Sequence, residues 1–208
     1  MSGILHVRLS QKTKRMTQFK LARIKLGDIF SVEINDHDLK YFQYVANDLN
    51  QLNSDVIRVF AMTNSNTDID LIKLANSEVE FYAHCLIKLG TKMDCWKKVG
   101  NVQNVGSLDI FFRNTNDYGA KPGEQIKISD KWFIWKVWDN DYTRVGNLTG
   151  DHRKAEIGIV INPFSIVHRI KTGDMILVIL IMNENLNEVL PGFQADETIA
   201  NFGSNPSE

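Results

Sequence analysis

The twelve residues EVEFYAHCLIKL, 78 to 89, sort cleanly by parity. Val79, Phe81, Ala83, Cys85, Ile87 and Leu89 are all apolar, while the alternate set is Glu78, Glu80, Tyr82, His84, Leu86 and Lys88. A helix would gather its apolar residues every three or four positions. This period of two therefore predicts one long strand with a core face and a solvent face. The pattern recurs upstream in GDIFSVEI, where Phe30, Val32 and Ile34 alternate with Ile29, Ser31 and Glu33. Turn residues Asn35 to Asp38 follow, and a second strand at 40–45 completes a hairpin.

Further strands are expected at 56–60, 95–99, 109–113, 132–138, 142–145 and 155–161. Turn signals separate them at Gly100-Asn101, 114–116, Lys121-Pro122-Gly123 and Gly146-Asn147. Short helices are expected over 69–74 and, with Pro163 at the first position, over 163–167. The expected fold class is mainly β, an α+β chain with few short helices. Its antiparallel strands form a small barrel or a strongly bent sheet, extended by a second set of strands. Residues 25–193 read as a single mainly β domain with a candidate sub-division near 101–107. Residues 1–24 read as a basic arm and 194–208 as a flexible, polar and acidic tail. The apolar run Met175 to Met182 is too short for a membrane span and reads as a strand buried on both faces, or as an aggregation liability if poorly covered.

Charge narrows the partners. The formal net charge is −1, but residues 1–27 carry seven basic and no acidic side chains, leaving −8 on the remainder. A protein that grips a nucleic acid neutralises phosphates with lysine and arginine, so an acidic body disfavours that partner and suits a basic protein. The basic arm lacks the interleaved aromatics of a single-strand stacking platform. The N-terminal segment has no apolar signal core, and Cys85 and Cys95 form neither a disulfide framework nor a metal spacing. A soluble cytoplasmic protein without a membrane partner is expected.

The chemistry-bearing residues form no known motif. Histidines at 6, 37, 84, 152 and 168 match no zinc spacing, and no phosphate-cradling glycine loop or nucleophile elbow occurs, so neither a metal nor a cofactor is expected. One catalytic alternative is an endoribonuclease. His168 would move protons, Arg169 would stabilise the phosphorane, and Glu156 would complete the group; the same residues also suit ordinary surface ion pairs. His84 lies on the solvent parity beside Tyr82 and Glu80, where it is a cross-strand hydrogen-bonding residue or a ligand. Asp139, Asp141 and Glu156 could form a partner-facing acidic patch or simply be solvated.

KWFIWKVWDN, 131–140, holds three of the four tryptophans. Parity puts Phe133, Trp135 and Val137 on a core face. Trp132, Ile134, Lys136 and Trp138 share the other face, which is either buried with Lys136 reaching to water or an interface anchored by Trp132 and Trp138. The candidate partner surface is thus Trp132, Trp138, Asp139 and Asp141, with Glu80 and His84.

Lys25-Leu26-Gly27-Asp28-Ile29-Phe30-Ser31-Val32, followed by Tyr41-Phe42-Gln43-Tyr44-Val45, resembles the opening of the Immunity protein 26 family. The resemblance covers residues 25–100. It implies a mostly β, non-enzymatic antidote of a bacterial polymorphic toxin system that neutralises a cognate toxin by binding it. No site residue carries over from it.

Overall fold

The computed structural model describes residues 23–65, 68–116 and 129–174. Strand β1, Asp28–Glu33, pairs antiparallel with β2, Leu39–Asp48, and β2 with β3, Ser54–Asn64. Helix α1, Leu71–Ala75, is started by Asp70, whose carboxylate accepts from the amides of Ile72 and Lys73. Strand β4, Val79–Cys85, then returns along β3. After α2, Ile87–Lys92, β5, Lys97–Asn101, closes onto β1. The second sheet is built from β6, Phe111–Thr115; β7, Trp132–Lys136; β8, Thr143–Gly146; and β9, Glu156–Ile157. Strand β10, Val160–Ile161, rejoins the first sheet beside β4, and α3, Pro163–Thr172, follows it. The sheet orders are β10-β4-β3-β2-β1-β5 and β8-β7-β6-β9.

The fold is mainly β with few short helices, as expected. Two details refine the expectation of a small barrel or a strongly bent sheet built from antiparallel strands. Neither sheet closes into a barrel among the described residues, because β5 and β10 end the first sheet without pairing to one another. The sheets are also mixed, since β10 runs parallel to β4 and β9 parallel to β6.

The parallel pairings trace to one segment. The strand expected over 155–161 is two strands of two residues, in different sheets, with Gly158 between them. Gly158 donates its amide to the carbonyl of Arg113, and a Cβ there would lie 2.0 Å from the Trp135 ring. The sheet-to-sheet crossing therefore passes directly beneath an indole and requires a residue without a side chain. Gly158→Ala is expected to cost about 2 kcal/mol, because the buried indole has no room to retreat. A urea titration measures it, and an unchanged midpoint would refute this packing.

The long alternating segment is also shorter as a strand than its pattern suggests. Pairing with β3 ends at Asp55 opposite Cys85, one residue after β3 begins. Beyond that point only Ser54 of β3 remains, and the chain turns into α2. The Asp55 carboxylate accepts the amide of Ile87 at 3.2 Å. Trp96 then donates to the Ile87 carbonyl at 3.1 Å, with its ring against Gly90. The sequence alternation runs on through Leu89, but Ile87 is buried and Leu89 is exposed, so it no longer reports a strand.

Asn162 accepts from the Ser165 amide, Pro163 occupies the first turn of α3, and Gly173 ends the helix at φ 78°. Inside, Phe30, Phe42, Ile57, Phe81 and Trp96 pack against Ile166 and Ile170 of α3. A second cluster joins the sheets through Val45, Ala46, Val56, Phe112, Trp135 and Val137. A third lies under α1 and includes Ile29, Tyr41, Phe60 and Leu74. The basic arm, apart from its last two residues, the 175–182 run and the tail expected over 194–208 lie outside the described residues.

Candidate functional site

His84 is not on a solvent face. It is fully buried, because the second sheet covers this side of β4 and sets the Phe112 ring 4.2 Å from the imidazole. It cannot contact a partner, which removes it from the expected binding surface. Its Nδ1 shares a 3.0 Å hydrogen bond with Ser54 Oγ, and its Nε2 lies 3.9 Å from Asp48 Oδ2. Neither Nε2 nor that carboxylate oxygen has a hydrogen-bond partner among the described residues. Burial lowers the imidazole pKa to about 4. The Asp48 carboxylate opposes this, but at 3.9 Å without a hydrogen bond the loss of hydration dominates. Ser54, His84 and Asp48 are the residue types of a nucleophilic triad, yet all three are sealed from solvent, so no substrate reaches the hydroxyl in this conformation.

The His168, Arg169 and Glu156 group assembles only in part. Arg169 Nη2 donates to Glu156 Oε2 at 2.9 Å, and its guanidinium sits 3.8 Å from the centre of the Phe81 ring. Glu156 Oε1 also accepts the Tyr82 amide at 3.2 Å. Arginine and carboxylate are thus occupied in tying α3 and β9 to β4. His168, one residue from Arg169 on α3, joins neither of them by a hydrogen bond. Glu156 is in addition one wall of a cleft of about 380 Å³ shared with Tyr82, Asp109, Phe111, Asp151 and Lys154. The other carboxylates of that cleft are paired as well, Asp109 with Lys136 and Asp151 with Lys154. Among the described residues no group of three or more histidine, cysteine or acidic side chains could hold a metal ion. No described helix is long and apolar enough to cross a membrane.

The remaining surface residues separate. Glu80 is ion-paired with Lys40 on the first sheet. Trp132 is half-buried on β7 under the Arg113 guanidinium, 5.5 Å from the ring centre. Trp138 does not share its face, because β7 ends at Lys136 and Trp138 lies in the following turn with φ 71°. Strand parity does not extend through a left-handed residue. Ile134, of the same parity as Trp132, is buried, so that face is largely covered.

At Trp138 the structure does build an exposed site. A left-handed backbone costs a bulky residue about 1–3 kcal/mol and persists only where its surroundings enforce it. Here the enforcing contacts come from the β2–β3 loop. Trp138 Nε1 donates to the Asn47 carbonyl at 2.9 Å, and Asn50 Nδ2 donates to the Trp138 carbonyl at 2.7 Å. Gln51 Nε2 donates to the Asp139 carbonyl at 2.9 Å. Asp139 Oδ2 accepts the Lys136 amide at 2.8 Å, closing the turn. The braced loops leave Trp138 49% and Leu49 67% exposed, with Asp139, Asp141 and Tyr142 also at the surface. Of the expected partner residues, Trp138, Asp139 and Asp141 come together here, while Trp132, Glu80 and His84 do not.

Residues 47–51 were not marked as functional by sequence. The available signal is Leu49 between Asp48 and Asn50 in NDLNQLN, 47–53, an apolar residue where a turn calls for polar ones. Charge is also redistributed relative to the sequence reading: residues 28–174 carry −3 of the −8, and residues 175–208 the other −5. The acidity that faces a partner from the described fold is therefore local. No protein-family model, curated protein or solved structure matches this chain.

Proposed function

We propose that this chain is a binding protein that captures a basic protein partner, and that it acts as an immunity protein neutralising a cognate bacterial toxin. The observation that carries the binding reading is the braced end of the molecule at 47–51 and 138–142. A half-exposed tryptophan is held there in a strained conformation, beside an exposed leucine and two aspartates. A rigid, amphipathic aromatic loses little conformational entropy on binding, and tryptophans of this kind dominate interface energetics. The aspartates favour a basic partner and speed its approach. The resemblance of residues 25–100 to the Immunity protein 26 family supports a toxin as that partner.

Co-expression with the toxin encoded beside this chain tests the proposal. Growth rescue and a co-purifying complex are expected. Trp138→Ala is expected to weaken that complex at least 30-fold, equivalent to about 2 kcal/mol. Absence of both rescue and complex would overturn the reading.

A further inference from the structure

We infer that the exposed ring of Trp138 is the seat of an arginine side chain from the partner, flanked by the carboxylates of Asp139 and Asp141. The inference takes the existence of a basic partner from the function proposed above and takes the seat from the geometry.

The molecule shows how aromatics near its surface, two half-buried and one exposed, are satisfied. On the second sheet Trp132 lies under the Arg113 guanidinium and Phe111 under the Lys136 ammonium, and just before β8 Tyr142 lies under the Arg144 guanidinium. Trp138 is more exposed than Tyr142, at 49% against 38%. Among the described residues its ring has neither a cation nor another ring against it. Tryptophan offers the strongest π-face of the aromatic side chains, so an exposed residue well suited to a cation is left without one among the described residues.

Two further features fit a guanidinium. The indole N–H is already committed to the Asn47 carbonyl, so the ring is held in place and its contribution to a partner is its face. Each flanking aspartate has one oxygen engaged by a local amide, Oδ2 of Asp139 with Lys136 and Oδ1 of Asp141 with Tyr142. The other oxygen of each has no partner among the described residues and is free to accept. Arginine combines a flat, weakly hydrated cation that stacks with a fork of donors that reaches carboxylates, which a lysine ammonium does not. Four of the five internal cation-on-ring contacts already use arginine.

The test follows the indole N–H resonances of 15N-labelled protein during addition of acetyl-Gly-Arg-Gly-Arg-Gly-amide and its lysine counterpart at low salt. The Trp138 resonance is assigned by its loss in Trp138→Asn, a residue that tolerates the left-handed backbone and keeps the fold, as the three other indole signals report. The expected result is a saturable shift of the Trp138 signal with the arginine peptide. Binding should be about tenfold weaker for the lysine peptide and for the Asp139→Asn/Asp141→Asn variant. An unmoved Trp138 signal, equal response to both peptides, or indifference to the two aspartates would overturn the inference. Toxin neutralisation that persists alongside any of those outcomes would leave the proposed function standing and the arginine seat refuted.

Discussion

Replacing Arg58 with alanine is expected to remove about 4 kcal/mol of stability, the largest effect of any substitution discussed here. Arg58 is 4% exposed in the middle of β3, yet no acidic side chain pairs with it among the described residues. Its partners are neutral. Nε donates to Gln43 Oε1 at 2.8 Å, and Nη2 donates to the carbonyls of Ala75 and Asn104, both at 2.9 Å. Gln43 passes the connection on, donating to the carbonyls of Gly27 and Val102. One guanidinium thus fastens the end of α1 and the connector to the second sheet onto the centre of the first. Gly106, at φ 74°, leaves room for it, since a Cβ there would lie 2.2 Å from Nη1.

Removing the side chain strands two buried acceptors, Gln43 Oε1 and the Ala75 carbonyl, and a part-buried third at Asn104, the buried ones worth about 1 kcal/mol or more each, and opens a cavity beneath the connector. Relief of a desolvated charge offsets part of this, which is why the expected loss is nearer 4 kcal/mol than the full sum. Arg58→Lys should recover little, because one ammonium cannot span three divergent acceptors. Urea denaturation measures both variants, and a loss below about 1 kcal/mol for alanine would show that the network is dispensable.

Acidification from pH 7 to pH 4 is expected to cost about 3 kcal/mol through His84 alone. Its folded pKa of about 4 lies below the ordinary imidazole value of 6.5. Between those values the unfolded chain binds a proton that the folded one refuses, so stability rises with pH there. The contribution is complete above pH 6.5 and is lost progressively as pH falls toward 4. The cause is physical exclusion. Charging a ring enclosed by Phe112, Ser54 and the unpaired Asp48 oxygen strands a cation without water. Stability curves at pH 7, 6, 5 and 4 would show the slope, and His84→Asn should flatten it. A wild-type slope that survives in the variant would assign the acid sensitivity elsewhere.

These two residues also mark the limit of what patterning conveys. His84 is a polar residue at a position where alternation assigns water, Arg58 is a charged residue between apolar neighbours of its own parity, Val56 and Phe60, and both are buried. The assignment fails because a sheet has two faces and the chain supplies two covers. Helix α3 packs on one face of the first sheet, and the second sheet covers the other near β4. Period two identifies which residues share a face but not whether that face is covered. The strand over 28–33 shows the same effect, with Ile29 and Phe30 buried in different clusters on opposite sides.

The candidate site was legible in its parts. Trp138, Asp139 and Asp141 are adjacent in sequence, and their combination of aromatic and acid is visible there. Their partner loop, Asn47 to Gln51, is about ninety residues away, and no local signal joins the two. The hydrogen bonds from Asn50 and Gln51 that hold Trp138 in its left-handed backbone exist only once the sheets have packed.

The sequence by itself determined the elements whose causes are local. Alternation placed the strands of the first hairpin, Asn162 with Pro163 marked the start of α3, and turn residues separated the strands. Tertiary structure alone decided where β4 stops, how 155–161 divides between two sheets, and which polar residues are enclosed. It also decided that Trp138 leaves the strand and faces solvent. Each of those outcomes depends on a partner segment distant in the chain, whose presence completes a hydrogen-bond ladder, covers a face or fixes a dihedral that local preference alone would reject.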